Sequence, residues 1–233
     1  MSIFANMTTN GLEEQKDSLG GYSPLETDIY AATIKALYVQ TAKSGAMSLN
    51  LIADINGKEY RETVYITTKD GVNYYTNKAG KKAPLPGFII MNDLCLCTVG
   101  RELSELETET KVIKLYNREA KTEMATEVPM VVDLIGTKVA LGIYKEKVNK
   151  QVLEGTSYVD TEETREQNVI NKVFHLETHK TVNEAKNNLE AEFWDKWLAK
   201  NQGKVIDRTK KVAPRNNTMK PSTTAPKKSL FAK

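Results

Sequence analysis

Cysteine is almost missing: Cys95 and Cys97 are the only two in a chain of 233 residues. Side chains one residue apart on a regular element are poorly placed for a mutual disulfide, so the chain reads as a reduced, cytoplasmic protein. Histidine and tryptophan are equally scarce, with two of each. No apolar run approaches the ~20 residues of a membrane span. Residues 1–20 lack a basic segment followed by an apolar stretch, so no secretory leader is expected. The sequence also holds no G-x-S-x-G, Walker A, H-E-x-x-H or G-x-G-x-x-G pattern. Cys95-Leu-Cys97 with His175 and His179 would supply two sulfurs and two imidazoles for zinc, but the cysteine spacing is wrong for the common zinc signatures. They read as two small hydrophobes in a helix and two surface histidines. The acid-rich stretch 102–109 and the Glu162-Glu163 pair read as solvated faces, although a nuclease of scattered carboxylates would leave no local motif. The expectation is a non-enzyme without metal or cofactor.

What is present is unevenly distributed. The net charge of +3 averages over segments that differ strongly. Residues 1–27 carry −3, residues 28–152 carry +2, and residues 153–202 carry −4. Residues 203–233 hold nine basic residues against Asp207 alone, a net of +8. Such a block suits a polyanionic or acidic partner and says little about the fold.

Three units are expected: an N-terminal arm over 1–27, a folded domain over 28–202, and a disordered basic tail over 203–233. From Ile29 to Thr41, β-branched and aromatic residues predict a strand that Ser44-Gly45 ends. Met47, Leu49, Leu51, Ala53 and Ile55 alternate with polar residues, the period of a half-buried strand. Asn56-Gly57 then supplies the two positive-φ residues of a type I′ hairpin turn, and a third strand runs from Lys58 to about Thr68. Residues 69–87 read as a loop. The apolar run Phe88 to Val99, stopped by Gly100, predicts a helix.

Strands are expected at Val112–Tyr116, at Glu123–Val128 as a short extra element, and at Thr137–Asn149. One helical turn is expected at Val131–Ile135. A polar excursion follows from Gln151 to Arg165, then a β segment at Val169–Leu176. Thr181-Val-Asn-Glu184 has the form of a capping box, opening a helix to about Asn201 with Leu189, Phe193 and Trp197 on one face. Three meander strands, a helix and two further strands is the order of a mainly β, five-stranded oligonucleotide-binding (OB) barrel with a C-terminal helix, although a small sandwich has similar element counts.

Six of the ten tyrosines fall between residues 28 and 82, at 30, 38, 60, 65, 74 and 75. They are interleaved with lysines and Arg61. Single-stranded nucleic acid binding needs this mixture: cations track the phosphates, and aromatic faces stack on bases without choosing a sequence. Alternation places Arg61, Thr63, Tyr65 and Thr67 on a polar face and Tyr60, Val64 and Ile66 on the core face. A strand tyrosine such as Tyr30 or Tyr60 is more often core or rim, whereas Tyr74-Tyr75 in a Gly/Asn/Lys loop cannot both enter a core. The expected interface comprises Lys35, Tyr38, Lys43, Arg61, Tyr65, Lys69, Tyr74, Tyr75, Lys78, Lys81 and Lys82. In the tail, Ser229, Leu230, Phe231 and Lys233 put an apolar pair on a polar tether, suited to docking on a partner protein.

The stretch Ile34-Lys-Ala-Leu-Tyr-Val-Gln-Thr-Ala-Lys-Ser-Gly-Ala46 resembles phage-encoded single-stranded DNA-binding proteins, those of N-four-like podoviruses in particular. So do Glu59-Tyr-Arg-Glu-Thr63, Leu85-Pro-Gly-Phe88, Asp93-Leu-Cys95, Asp133-Leu-Ile-Gly136 and Phe193-Trp-Asp-Lys-Trp197. The likeness covers roughly residues 27–200. It implies an OB fold, a location in the infected host cell, and roles in phage DNA replication and recombination, extending to late transcription. The expected partners are single-stranded DNA and phage replication or recombination proteins, acting with a monomer or homodimer. The alternative is a transcription-activating module that docks on host RNA polymerase, with DNA binding secondary.

Overall fold

A computed structural model describes residues 23–117, 120–155 and 157–212. The chain is mainly β, with one large antiparallel sheet and a few helices. Its first three strands are β1 (Asp28–Thr41), β2 (Met47–Ile55) and β3 (Lys58–Tyr65). They form the expected meander. Asn56 and Gly57 have φ of 53° and 77°, as the tight turn requires, and Asp54 Oδ1 accepts from the Gly57 amide at 3.1 Å. A register shift between Ile34 and Ala36 inserts Lys35 as a bulge. It reverses which face later β1 residues occupy.

Two short strands follow, β4 (Tyr74–Thr76) and β5 (Lys82–Pro84), and then helix α1 (Pro86–Val99), with Pro at its start and Gly100 at φ 70° as its stop. Strands β6 (Glu109–Asn117) and β7 (Thr122–Met130) make a hairpin arm, joined to the sheet by the pairing of Tyr38 with Met130. The long strands β8 (Lys138–Glu154) and β9 (Ser157–Phe174) pair with each other, and β8 also pairs with β1 over Asp28–Thr33. The main path through the sheet is therefore β3-β2-β1-β8-β9, with α1 between β3 and β8 in sequence.

One face of this path closes on α1. Ile34, Leu37, Leu49, Leu51, Tyr60, Leu141, Ile143 and Val173 meet Met91, Leu94 and Cys95 of the helix in a single buried cluster. The Lys172 Nζ–Asp93 Oδ2 ion pair, 2.9 Å, pins the helix to β9. Glu62 points to the same side and accepts from Tyr60 Oη at 2.5 Å and from the Ile170 amide of β9 at 2.9 Å.

Four expectations need correction. The expected loop 69–87 contains the β4–β5 hairpin. The polar excursion from Gln151 to Arg165 is the outer part of the β8–β9 ribbon, turned at Gly155 with φ 62°. Both ribbon faces meet solvent there, so hydropathy shows no period of two. The expected helix 181–201 is two helices, α2 (Val182–Lys186) and α3 (Phe193–Asn201). The capping box between Thr181 and Glu184 is present, but Asn188 has φ 52° and ends the first helix, and Glu184 Oε1 accepts from the Phe193 amide at 2.7 Å. Leu189 and Phe193 are left exposed while Trp197 is buried. Finally, order extends past residue 203, because β10 (Val205–Asp207) pairs in parallel with β8 at Lys145–Lys147. At the other boundary, Leu25 and buried Thr27 hydrogen-bond to Asn168 and Lys204.

Candidate nucleic-acid interface

The face of β1–β3 opposite α1 is built by alternation and register. On β3 it carries Arg61, Thr63 and Tyr65. Pairing sets these beside Ile52, Asn50 and Ser48 of β2. The bulge at Lys35 then brings Ala36, Tyr38 and Gln40 of β1 into the same three rows. Thr63 Oγ1 donates to Asn50 Oδ1 at 2.6 Å. Arg61 Nε lies 2.6 Å from Glu59 Oε1, and this hydrogen bond raises the already high guanidinium pKa, with the field of Glu123 on β7 adding to it. Tyr65 is 54% exposed.

The β4–β5 hairpin, a two-stranded sheet of its own, follows the end of β3. Its base is tied by the Leu85 amide to Asn73 O at 2.9 Å. Gly87 follows directly, and a Cβ there would fall 2.2 Å from the Tyr65 carbonyl oxygen, so only glycine lets the start of α1 press against the end of β3. On the hairpin, Lys82 Nζ sits 4.3 Å from the Tyr74 ring centroid, which fixes that ring, while Tyr75 is 48% exposed. Gly45 in the β1–β2 turn packs against the Lys69 carbonyl, so the turn that follows Lys43 lies against Lys69.

Arg61 and Tyr65 thus share one exposed face of β3, and Tyr74, Tyr75 and Lys82 stand together on the hairpin that follows it. Lys35, Lys43, Lys69, Lys78 and Lys81 are exposed, and none pairs with a carboxylate among the described residues. Tyr38 is the exception among the expected tyrosines. It is 6% exposed, clustered with Ala36, Val128 and Met130 beneath the β6–β7 arm, so its ring offers no open stacking face. Burial raises its phenol pKa, opposed by Arg61. Thr67, expected on the polar face, is buried and accepts from the Met47 amide at 2.9 Å. Ser229, Leu230, Phe231 and Lys233 lie outside the described residues.

Asn50 was not among the expected interface residues. The alternation of β2 was the available signal. Elsewhere, Cys95 and Cys97 are buried in α1 with thiol pKa values pushed up to about 12 by desolvation. His179 stacks on Trp194 at 4.0 Å, and no group of three or more metal-ligating side chains occurs among the described residues. A cleft of about 660 Å³ lies at the elbow between α2 and α3, where Glu184, Glu192, Phe193 and Lys196 line it. A smaller one of about 420 Å³ runs beside Lys58 and Arg61. The sequence matches no protein-family model and no curated protein.

Proposed function

We propose that this chain is a non-enzymatic single-stranded DNA-binding protein that coats and protects exposed strand with little sequence preference. The observation that carries the reading is the joint exposure of Arg61 and Tyr65 on one sheet face, with Tyr75 exposed on the hairpin that follows β3 and with exposed lysines that pair with no carboxylate among the described residues. Lysines and Arg61 would track phosphates while Tyr65 and Tyr75 stack on bases, a combination that is tolerant of sequence. The proposal includes an OB-type barrel. The strand path β3-β2-β1-β8-β9 with a helix before β8 supports it, and the Glu62 carboxylate of β3 accepts from the Ile170 amide of β9, bridging the two ends of that path where a closing ladder would run.

The proposed setting is phage DNA replication and recombination, extending to late transcription, in the infected cell. Residues 203–233 would add phosphate contacts through their lysines, and Ser229, Leu230, Phe231 and Lys233 would dock on a replication or recombination protein. A second reading, a module that docks on host RNA polymerase, draws on a separate observation. Leu153 and Tyr158, adjacent across the end of the β8–β9 ribbon, are 60% and 61% exposed.

A gel-shift titration of single- and double-stranded oligonucleotides across salt tests the first reading. The expected result is tighter binding to single strands, with log affinity falling linearly against log salt by ~0.7 per phosphate contact. Equal affinity for duplex, or binding insensitive to salt, overturns it.

A further inference from the structure

We propose that the basic tail lies along its own β8–β9 ribbon, seating Leu230 and Phe231 on the apolar outer end, and that a polyanion draws it off and uncovers that end. The chain already runs along the ribbon as far as Lys210. Pairing of β10 with Lys145–Lys147 of β8 is parallel, so the chain is directed toward the ribbon's outer end. Contact continues beyond β10. The Arg208 amide donates to Lys147 O at 2.9 Å. The Asn149 carboxamide accepts from the Lys210 amide at 2.6 Å and donates to Lys210 O at 3.2 Å. Arg208 Nε lies 3.3 Å from Glu146 Oε1, and Lys210 Nζ lies 3.4 Å from Asp160 Oδ2 on β9.

Charge and reach both favour the rest of the tail as the occupant. Residues 148–166 of the ribbon hold Glu154, Asp160, Glu162, Glu163 and Glu166 against Lys150 and Arg165. Residues 213–233 hold five basic residues and no acidic one. At the outer end Leu153 pairs with Tyr158 and Val152 with Val159, and all four are exposed. Successive pairs point to opposite faces, so the ribbon is apolar on both sides there. Leu153 lies four residues past Asn149, about 13 Å at the rise of a strand. The nineteen residues between Lys210 and Leu230 span that distance without stretching. A tether of this kind holds its end at on the order of millimolar local concentration, so a weak apolar contact is enough to populate the clasp. The ribbon of a second copy would instead set acid against acid. Phosphates compete for the same lysines and release counterions as they bind, which shifts the tail from ribbon to polyanion. Leu153 and Tyr158 then become available to a partner protein. The clasp itself stands apart from the single-strand-binding reading; only its release by single-stranded DNA rests on it.

The test places a thiol at the ribbon end of the full chain with Ser157→Cys, an exposed position beside Tyr158, and follows its labelling by a bulky uncharged maleimide. Cys95 and Cys97 are buried with thiol pKa values pushed up to about 12, so they stay silent. The Ser157→Cys chain should label about fivefold more slowly than the same chain carrying Leu230→Ser and Phe231→Ser as well. Heparin, oligo-dT or ~0.5 M NaCl should each bring the slow rate up to the fast one, by competing for the lysines or by screening them. Equal rates in the two chains overturn the clasp, and so does a slow rate that heparin leaves unchanged. Protection that disappears on dilution shows the tail covering a neighbouring molecule, and the intramolecular clasp fails. Release by heparin and salt but not by oligo-dT upholds the clasp and counts against the single-strand reading alone.

Discussion

The tyrosines around β3–β5 and the tryptophans of α3 are both aromatic clusters, yet their surroundings differ. Trp197 is 3% exposed, its Nε1 donates to Asn171 Oδ1 at 2.8 Å, and its ring stacks on Tyr144 at 5.5 Å. Gly142 makes room for it, because a Cβ there would lie 3.2 Å from the indole. Trp194 stacks on His179 and meets the edge of Phe174 at 5.1 Å. Every polar and apolar part of the Trp197 ring is thus answered from within the chain. Tyr65 and Tyr75 are about half exposed, with no ring or hydrogen-bond partner among the described residues. The lesson is that aromatic content does not distinguish a core from an open surface. Whether the ring's partners are already supplied does.

That contrast breaks most sharply at Trp197. Trp197→Ala should lower stability by about 3–5 kcal/mol, as expected for removing a buried aromatic, measured by denaturant unfolding. A loss below about 1 kcal/mol would mean that α3 is a loosely attached appendage. Next in size, Tyr65→Ala and Tyr75→Ala should each weaken single-strand binding by about 1–3 kcal/mol while leaving the melting temperature nearly unchanged. Unaltered affinity would move these rings to the structural side of the comparison. The same contrast predicts that oligonucleotide quenches tyrosine emission more than tryptophan emission. Strong tryptophan quenching would instead bring α3 into the groove.

The smallest effect concerns Glu62. Its carboxyl pKa is raised by burial, in spite of the hydrogen bonds from Tyr60 and the Ile170 amide. The folded chain therefore keeps this proton to higher pH than the unfolded chain does, and stability falls as pH rises from the ordinary carboxyl range through the raised value. Glu62→Gln keeps an oxygen acceptor for both donors and should remove that slope. At neutral pH it should stabilise by below about 1 kcal/mol, less than one ordinary hydrogen bond. A marked loss at neutral pH would show that the charge itself holds β3 to β9.

Much of the candidate site was legible because it is local. On β3 the period of two separated Tyr60 and Val64 from Arg61 and Tyr65, and the structure places them on opposite faces. Tyr38 was not legible in this way. Its direction depends on one bulge residue, Lys35, and its burial depends on an arm that begins some seventy residues later in the chain. Neither appears in the hydropathy of β1. The helix expected at 181–201 failed for a related reason: its apolar spacing was right for a helix, but Asn188 and the reach of Glu184 to the Phe193 amide favoured an elbow.

By itself the sequence determined the meander, its hairpin turn, the start and stop of α1, the capping box at Thr181 and the polar face of β3. Each follows from steric and hydrogen-bonding preferences within a few neighbouring residues. Tertiary structure decided which tyrosines stay open, that Asn50 is buried with a free donor, and that residues 205–207 join β8. These outcomes depend on strands brought together from distant parts of the chain, and exposure is a property of that assembly, which no local pattern of residues encodes.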